Sequence, residues 1–219
     1  MDNSLRIIPG DNTTILRPPH SHPWTVGIAR RICHLARHAY EVRIFCGGTL
    51  IGTKYAITAA HCTKYTIMHV VVGEHDQRIN DGEENITLSG PPIVHPKYSF
   101  FKHDPFNLVY DIAILVLQKR VDNKFTKIAL LPQPDENFKN VDVTGWGYMK
   151  KGERSDVLRT VKLDLITSED VVAGCAYTMF NITLRNGLLC GEDLQDISRG
   201  TCGGDSGGTI KDFFYDHVR

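Results

Sequence analysis

Residues 200–210 read GTCGGDSGGTI, an Asp-Ser pair set among five glycines. A serine hydroxyl is a weak nucleophile until a neighbouring base takes its proton during attack on a carbonyl. Gly204-Asp205-Ser206-Gly207-Gly208 satisfies G-x-S-x-G, the elbow of a hydrolase architecture that places its acid and its histidine after the serine. Only thirteen residues follow Ser206, Asp212, Asp216 and His217 among them, too few for the remaining strands and helices of that architecture. The other order, histidine then acid then serine, is filled by TAAHC at 58–62 and DIAIL at 111–115. His61 and Asp111 are therefore the candidates to serve Ser206.

Side chains so far apart in sequence must be held together by regular elements, and here those elements read as strands. TVKLDL (160–165) places Val161, Leu163 and Leu165 on one face and Lys162 and Asp164 on the other, the alternation of a half-buried strand. HVVVG, AILVL and VDVTGW recur between Gly, Pro, Asn and Asp, which predicts a sandwich or barrel rather than βαβ units. SEDVVAGC carries the one helix start, with Ser168 as N-cap and acids in the first turn. The polar, proline-bearing stretch 119–140 is a joint between two halves.

Lys plus Arg and Asp plus Glu number 25 each, so the charge balance gives no reason to expect nucleic acid or an anionic membrane as partner. The longest apolar runs, such as AILVL, are far too short to cross a bilayer. MDNSLRIIPG has no apolar h-region. Six cysteines and sequons at Asn12, Asn85 and Asn181 nevertheless point to a secreted glycoprotein, whose export signal is expected outside this chain.

The segments RIIPG (6–10), FCGGTLIGTKYAITAAHC (45–62), YDIAIL (110–115), VTGWG (143–147) and CGGDSGG (202–208) follow one another in an order that resembles the trypsin/chymotrypsin family of serine endopeptidases. The resemblance runs from Ile7 to Gly208. It implies an all-β fold of two antiparallel six-stranded barrels with the catalytic cleft between them. Residues 1–6 become a short activation segment, 7–120 an N-terminal barrel whose first strand reaches the second, and 121–219 a C-terminal barrel left incomplete. It also implies roles: His61 as general base, Asp111 holding the imidazole in its tautomer, and the N–H groups of Gly204 and Ser206 as the oxyanion hole. Cleavage between Arg6 and Ile7 would free an ammonium that pairs with Asp205, as in a zymogen, although Pro9 stands where the family usually has glycine.

Further implications of the resemblance are structural. Cys46–Cys62 and Cys175–Cys190 match two family disulfides, leaving the pairing of Cys33 and Cys202 open. GEHDQRINDGEEN (73–85) resembles a calcium loop, with carboxylates from Glu74, Asp81 and Glu84 and carbonyls from Asp76 and Ile79. Catalysis itself needs no cofactor. Gly200 falls at the base of the specificity pocket, where an acid would select Lys or Arg, so preference is not expected to be trypsin-like. Arg31, Arg37 and Arg43, in a basic insertion at 29–43, are expected to form a secondary surface beside the cleft. The partners implied are protein or peptide substrates, an activating protease and protein inhibitors. Because family members continue well past the serine, the 219-residue chain is expected to be a poor catalyst. A non-catalytic homologue acting as a binding module is the alternative.

Overall fold

The computed structural model describes residues 15–16, 18–34, 39–65, 68–99, 110–133, 139–150, 153–166, 190–192 and 204–212. Fourteen strands are formed among the described residues: β1 (Ile15–Leu16), β2 (Thr25–His34), β3 (Ala39–Gly52), β4 (Tyr55–Thr58), β5 (His69–Val72), β6 (Glu84–Thr87), β7 (Ile93–Val94), β8 (Ala113–Val116), β9 (Asn140–Gly145), β10 (Tyr148–Lys150), β11 (Glu153–Arg154), β12 (Arg159–Ile166), β13 (Cys190–Glu192) and β14 (Ile210–Asp212). One 3-10 turn, Ala60–Thr63, is the helical element among the described residues. The fold class is all-β. Ser168 and the helix expected after it lie outside the described residues.

The strands form a seven-stranded sheet ordered β6-β5-β2-β3-β4-β8-β7, a five-stranded sheet ordered β1-β12-β9-β14 with β13 also on β12, and the two-stranded pair β10-β11. Each described pairing is antiparallel. Past the ends of β6 and β8, Leu88 bridges Leu117 and the Gln118 amide donates to the Thr87 carbonyl at 2.9 Å. The two sides of the larger sheet therefore meet at one corner. The connection between β8 and β9 runs along this sheet, its Ala129 amide donating to Leu50 O at 2.9 Å.

Alternation decides which side chains are buried. Val26, Ile28, Leu50, Val70, Val72, Ile86, Leu115 and Leu117 fill the core of the larger sheet. Val141 and Val143 of β9 meet Val161 and Leu163 of β12 in the smaller one, while Lys162 faces solvent as its place in the period-two pattern requires. A third cluster joins the sheets: Ala29, Ile44 and Val71 pack against Trp146 and Leu158. The Trp146 indole N–H donates to His75 O at 3.2 Å, which satisfies the one polar atom of this buried ring.

A candidate active site between two sheets

His61 and Asp111 are brought together by the register of β4 on β8. That pairing sets Thr58 opposite Ala113, so the residues just after β4 lie beside those just before β8. His61 sits in the 3-10 turn that follows β4, and Thr63 Oγ1 donates back to Ala60 O at 2.7 Å within it. The Cys46–Cys62 disulfide ties the turn to β3. Asp111 follows Tyr110, a non-glycine residue at φ 65° whose ring stacks on His95 at 4.7 Å. A left-handed tyrosine costs free energy that the surrounding contacts must offset, and such strain concentrates at functional sites.

Both carboxylate oxygens of Asp111 are spent on one residue. Oδ1 accepts the His61 backbone N–H at 2.8 Å and Oδ2 pairs with Nδ1 at 2.6 Å. The carboxylate is only 15% exposed against 46% for the His61 side chain, so the acid is held in protein while the ring reaches towards the solvent side. With Nδ1 bonded to a carboxylate, the neutral ring carries its proton there and presents a lone pair at Nε2. Burial raises the pKa of Tyr98, and the nearby Asp111 charge adds to that rise.

Ser206 arrives from the other side. Its carbonyl accepts the Gly47 amide at 2.8 Å, binding the serine loop to β3. A Cβ on Gly47 would lie 2.6 Å from Gly208 Cα, so the two chain segments meet too closely for any side chain at 47. Buried hydroxyls continue the join: Thr209 Oγ1 meets Thr49 Oγ1 at 2.8 Å and Thr25 Oγ1 at 3.2 Å, and Thr25 reaches Thr144 at 3.2 Å. Asp205 is buried, and its Oδ1 accepts the Gly147 amide at 2.9 Å. A Cβ at Gly145 or Gly147 would collide with that carboxyl group. Gly204 has φ +98°, a conformation that side-chain-bearing residues rarely adopt.

His61, Ser206 and Gly204 line one cavity of about 430 Å³. Among the described residues no hydrogen bond joins the Ser206 hydroxyl to His61; Nε2 instead lies 3.6 Å from Cys62 Sγ. Catalytic hydrogen bonds are often loose without substrate and tighten when it binds. Neither the Gly204 nor the Ser206 N–H donates to a described residue. The close group Cys46, His61 and Cys62 is not a metal set, since the disulfide consumes both sulfurs.

The remaining predicted residues fall unevenly. Arg6, Ile7, Asn12, Arg37, Cys175, Asn181, Gly200 and Cys202 lie outside the described residues. Asn85 is exposed on β6. In the 73–85 loop, burial first and then the charges of Asp81 and Glu83 push the Glu74 carboxyl up to about 7. Asp81 Oδ1 is buried without a hydrogen-bond partner, and Asp81 Oδ2 accepts the Asp76 amide at 3.0 Å. The orphaned Asp81 Oδ1, set among mutually repelling carboxylates, suits a hard cation. Glu84, by contrast, pairs with Lys119, while Glu83 stands closer to the cluster, its Oε2 accepting the Asp81 amide at 3.2 Å. The Asp76 carbonyl accepts the Ile79 amide at 3.0 Å, and the Asp76 carboxylate is clasped by Arg78. Ile79 itself is exposed.

The expected basic surface needs one correction. Successive residues on a strand point to opposite faces, and on β2 it is Arg30, not Arg31, that joins Arg43 in lining the cavity. The charge of Arg31 acts instead on His69, whose pKa is lowered chiefly by burial.

Comparison with known proteins decides the family. The trypsin family model matches residues 13–211. The chain belongs to the trypsin family. It is 35% identical over 227 residues to a venom serine protease of Polistes dominula, covering 95% of this chain and 71% of that protein. It is 32% identical over 200 residues to mouse ovochymase-2, covering 87% of this chain and 30% of that protein. The solved structure of neuropsin, a serine protease of mouse brain, superposes with a TM-score of 0.71 at 25% identity, covering 90% of this chain and 81% of that one. The chain spans less than two thirds of the length of ovochymase-2 and of human chymotrypsin-like elastase family member 1. No helix among the described residues is long and apolar enough to cross a membrane.

Proposed function

We propose that the chain is a serine endopeptidase working through His61, Asp111 and Ser206. The observation that carries this reading is the two-point attachment of His61 to Asp111, with the ring and Ser206 lining one cavity. Within trypsin-family membership, that arrangement has a direct chemical use. His61 Nε2 takes the Ser206 proton as Oγ bonds to the substrate carbonyl carbon, and the carbonyl electron pair moves onto oxygen. The Gly204 and Ser206 N–H groups supply donors for that oxyanion. As the intermediate collapses, the C–N bond breaks and His61 returns the proton to the leaving amine. Water then repeats the sequence on the acyl-enzyme and frees the acid.

Activation belongs to the same proposal. Cleavage after Arg6 would give Ile7 a charged amino group, and Asp205, next to the nucleophile and buried, is the carboxylate for it to join. Protein and peptide substrates with small or medium apolar residues before the scissile bond follow from Gly200, and an activating protease and protein inhibitors are the implied partners. The formed Cys46–Cys62 bond and the exposed Asn85 support secretion and glycosylation. Glu74 and Asp81 would hold a structural calcium ion, whose chemistry is to neutralise the loop's carboxylates.

A binding module is the second reading, favoured by the lack of a hydrogen bond between Ser206 and His61 among the described residues. Labelling with a fluorophosphonate probe after release of the Ile7 amino group separates the two. Fluorophosphonate labelling and slow peptide-amide turnover, both vanishing in Ser206→Ala, are expected. An unlabelled, folded protein would leave only the binding module.

A further inference from the structure

The cavity beside Ser206 is strongly one-signed. Arg30, Arg43, Lys64 and Arg154 all line it, and no carboxylate lines it among the described residues. None of the four makes an ion pair with a described residue. Arg30 and Arg43 are direct cross-strand partners on β2 and β3. Like charges placed opposite one another destabilise a sheet. A fold that keeps this pair unneutralised at the edge of its reactive cavity carries a cost that a bound anion would relieve.

Aromatic rings fix where the charges point. Tyr65 meets two of them, with the Arg30 guanidinium carbon 4.6 Å and Lys64 Nζ 5.3 Å from its centroid. Arg154 sits over Tyr148 at 4.7 Å and donates from one terminal nitrogen to Ile44 O at 2.7 Å. Its other terminal nitrogen lies 3.7 Å from where a Gly204 Cβ would be, beside the proposed oxyanion donors. Stacked guanidinium groups lose less freedom on binding and are more weakly hydrated than an ammonium, which suits them to carboxylates.

The cavity's position relative to the chemistry identifies what enters it. Its wall includes His61 and the Cys46–Cys62 disulfide, whose Cys62 Sγ lies 3.6 Å from Nε2. Nε2 is the atom that protonates the leaving amine. The peptide beyond the cleaved bond therefore passes into this cavity rather than away from it. We propose that the cavity selects substrates bearing Asp or Glu in the first few residues after the scissile bond, with Arg30 and Arg43 as the specificity-determining pair. This inference rests on the endopeptidase reading for the direction of the peptide, but the anion preference can be measured without turnover.

The test uses the full chain carrying Ser206→Ala and two fluorescein-labelled, free-amine pentapeptides, Ala-Glu-Glu-Ala-Gly and Ala-Gln-Gln-Ala-Gly, followed by fluorescence anisotropy. The acidic peptide should bind about tenfold more tightly, as expected for a charge-assisted pair, with the difference shrinking at high salt. Adding Arg30→Gln and Arg43→Gln should erase the difference while leaving the neutral peptide's affinity in place, which also reports that the protein is folded. Equal affinity for the two peptides overturns the proposal. So does a sulfated polysaccharide that binds at this cavity while the peptides are not told apart, which would make it a general polyanion surface. Discrimination of the peptides by a chain whose Ser206 form hydrolyses nothing would uphold the cavity and sink the endopeptidase reading alone.

Discussion

The Gly147 amide donates to Asp205 Oδ1 at 2.9 Å, and a Cβ at Gly147 would fall within that same carboxyl group. Asp205, the residue before Ser206, is thus seated in a space that exists only because a side chain is missing. Gly147→Ala should force the buried carboxylate to move and carry Ser206 with it. We expect a loss of about 1–3 kcal/mol of stability, the usual cost of overpacking, together with reduced fluorophosphonate labelling. Gly90→Ala, where a Cβ meets nothing within 4 Å, should change neither by more than about 0.5 kcal/mol in stability. Equal effects at the two positions would refute the seat.

Asp111→Asn keeps the size of the side chain but removes the charge that Nδ1 faces. The amide presents a donor as well as an acceptor, so the ring is no longer held in the tautomer with its lone pair at Nε2. Turnover of a peptide amide by activated protein should fall about 10⁴-fold with KM little changed. A drop of less than about tenfold would mean that the 2.6 Å pair serves the fold rather than the reaction.

The disulfide anchors the other end of the same unit. Cys46 and Cys62 are 16 residues apart, and closing a loop of that length contributes about 3 kcal/mol in the chain-entropy account. Replacing both cysteines by alanine should lower stability by that order, read from urea denaturation. It should also slow turnover, because the turn carrying His61 is released from β3. An unchanged denaturation midpoint would argue that the turn is held by Asp111 and Thr63 alone.

The pairing of His61 with Asp111 and the meeting of His61 and Ser206 on one cavity were legible in the sequence because each of the three sits in a compact motif. The strand alternation at 160–165 was legible for the same kind of reason: burial on one face writes itself at every second residue. Arg30 was not. Its neighbour Arg31 has the same charge, and only the register of β2 on β3 tells which of them turns to the cavity. Glu83 and Glu84 present the same ambiguity, which the pairing of Glu84 with Lys119 resolves. Thr25, Thr49, Thr144 and Thr209 leave no local signal either, since their hydroxyl cluster joins strands that are adjacent only after both sheets have formed.

The 73–85 loop gives a pH dependence whose direction can be worked out. Burial and neighbouring carboxylates raise Glu74 from 4.5 to about 7. Between these values the folded chain holds a proton that the unfolded chain has released, so stability falls as pH rises through the window and stays low above it. Asp76 has the opposite sign, held down to about 2 by its hydrogen bonds to Arg78, and acts only below the Glu74 window. His69 and His75, both lowered by burial, also oppose Glu74, because stability is lost as they are forced to charge below their ordinary range. The Glu74 contribution is therefore read as a difference: Glu74→Gln should raise the thermal midpoint relative to the parent at pH 8 and much less at pH 5. A cation reverses the logic, since it needs the ionised carboxylate and displaces its proton. Millimolar calcium should raise the parent's midpoint more at pH 8 than at pH 5, and a chelator should return it to the starting value. Glu74→Gln should lose most of that response. If calcium and chelator leave the parent's midpoint unmoved at both pH values, the loop is an acidic surface with no ion to hold, and the raised Glu74 reflects burial among carboxylates alone.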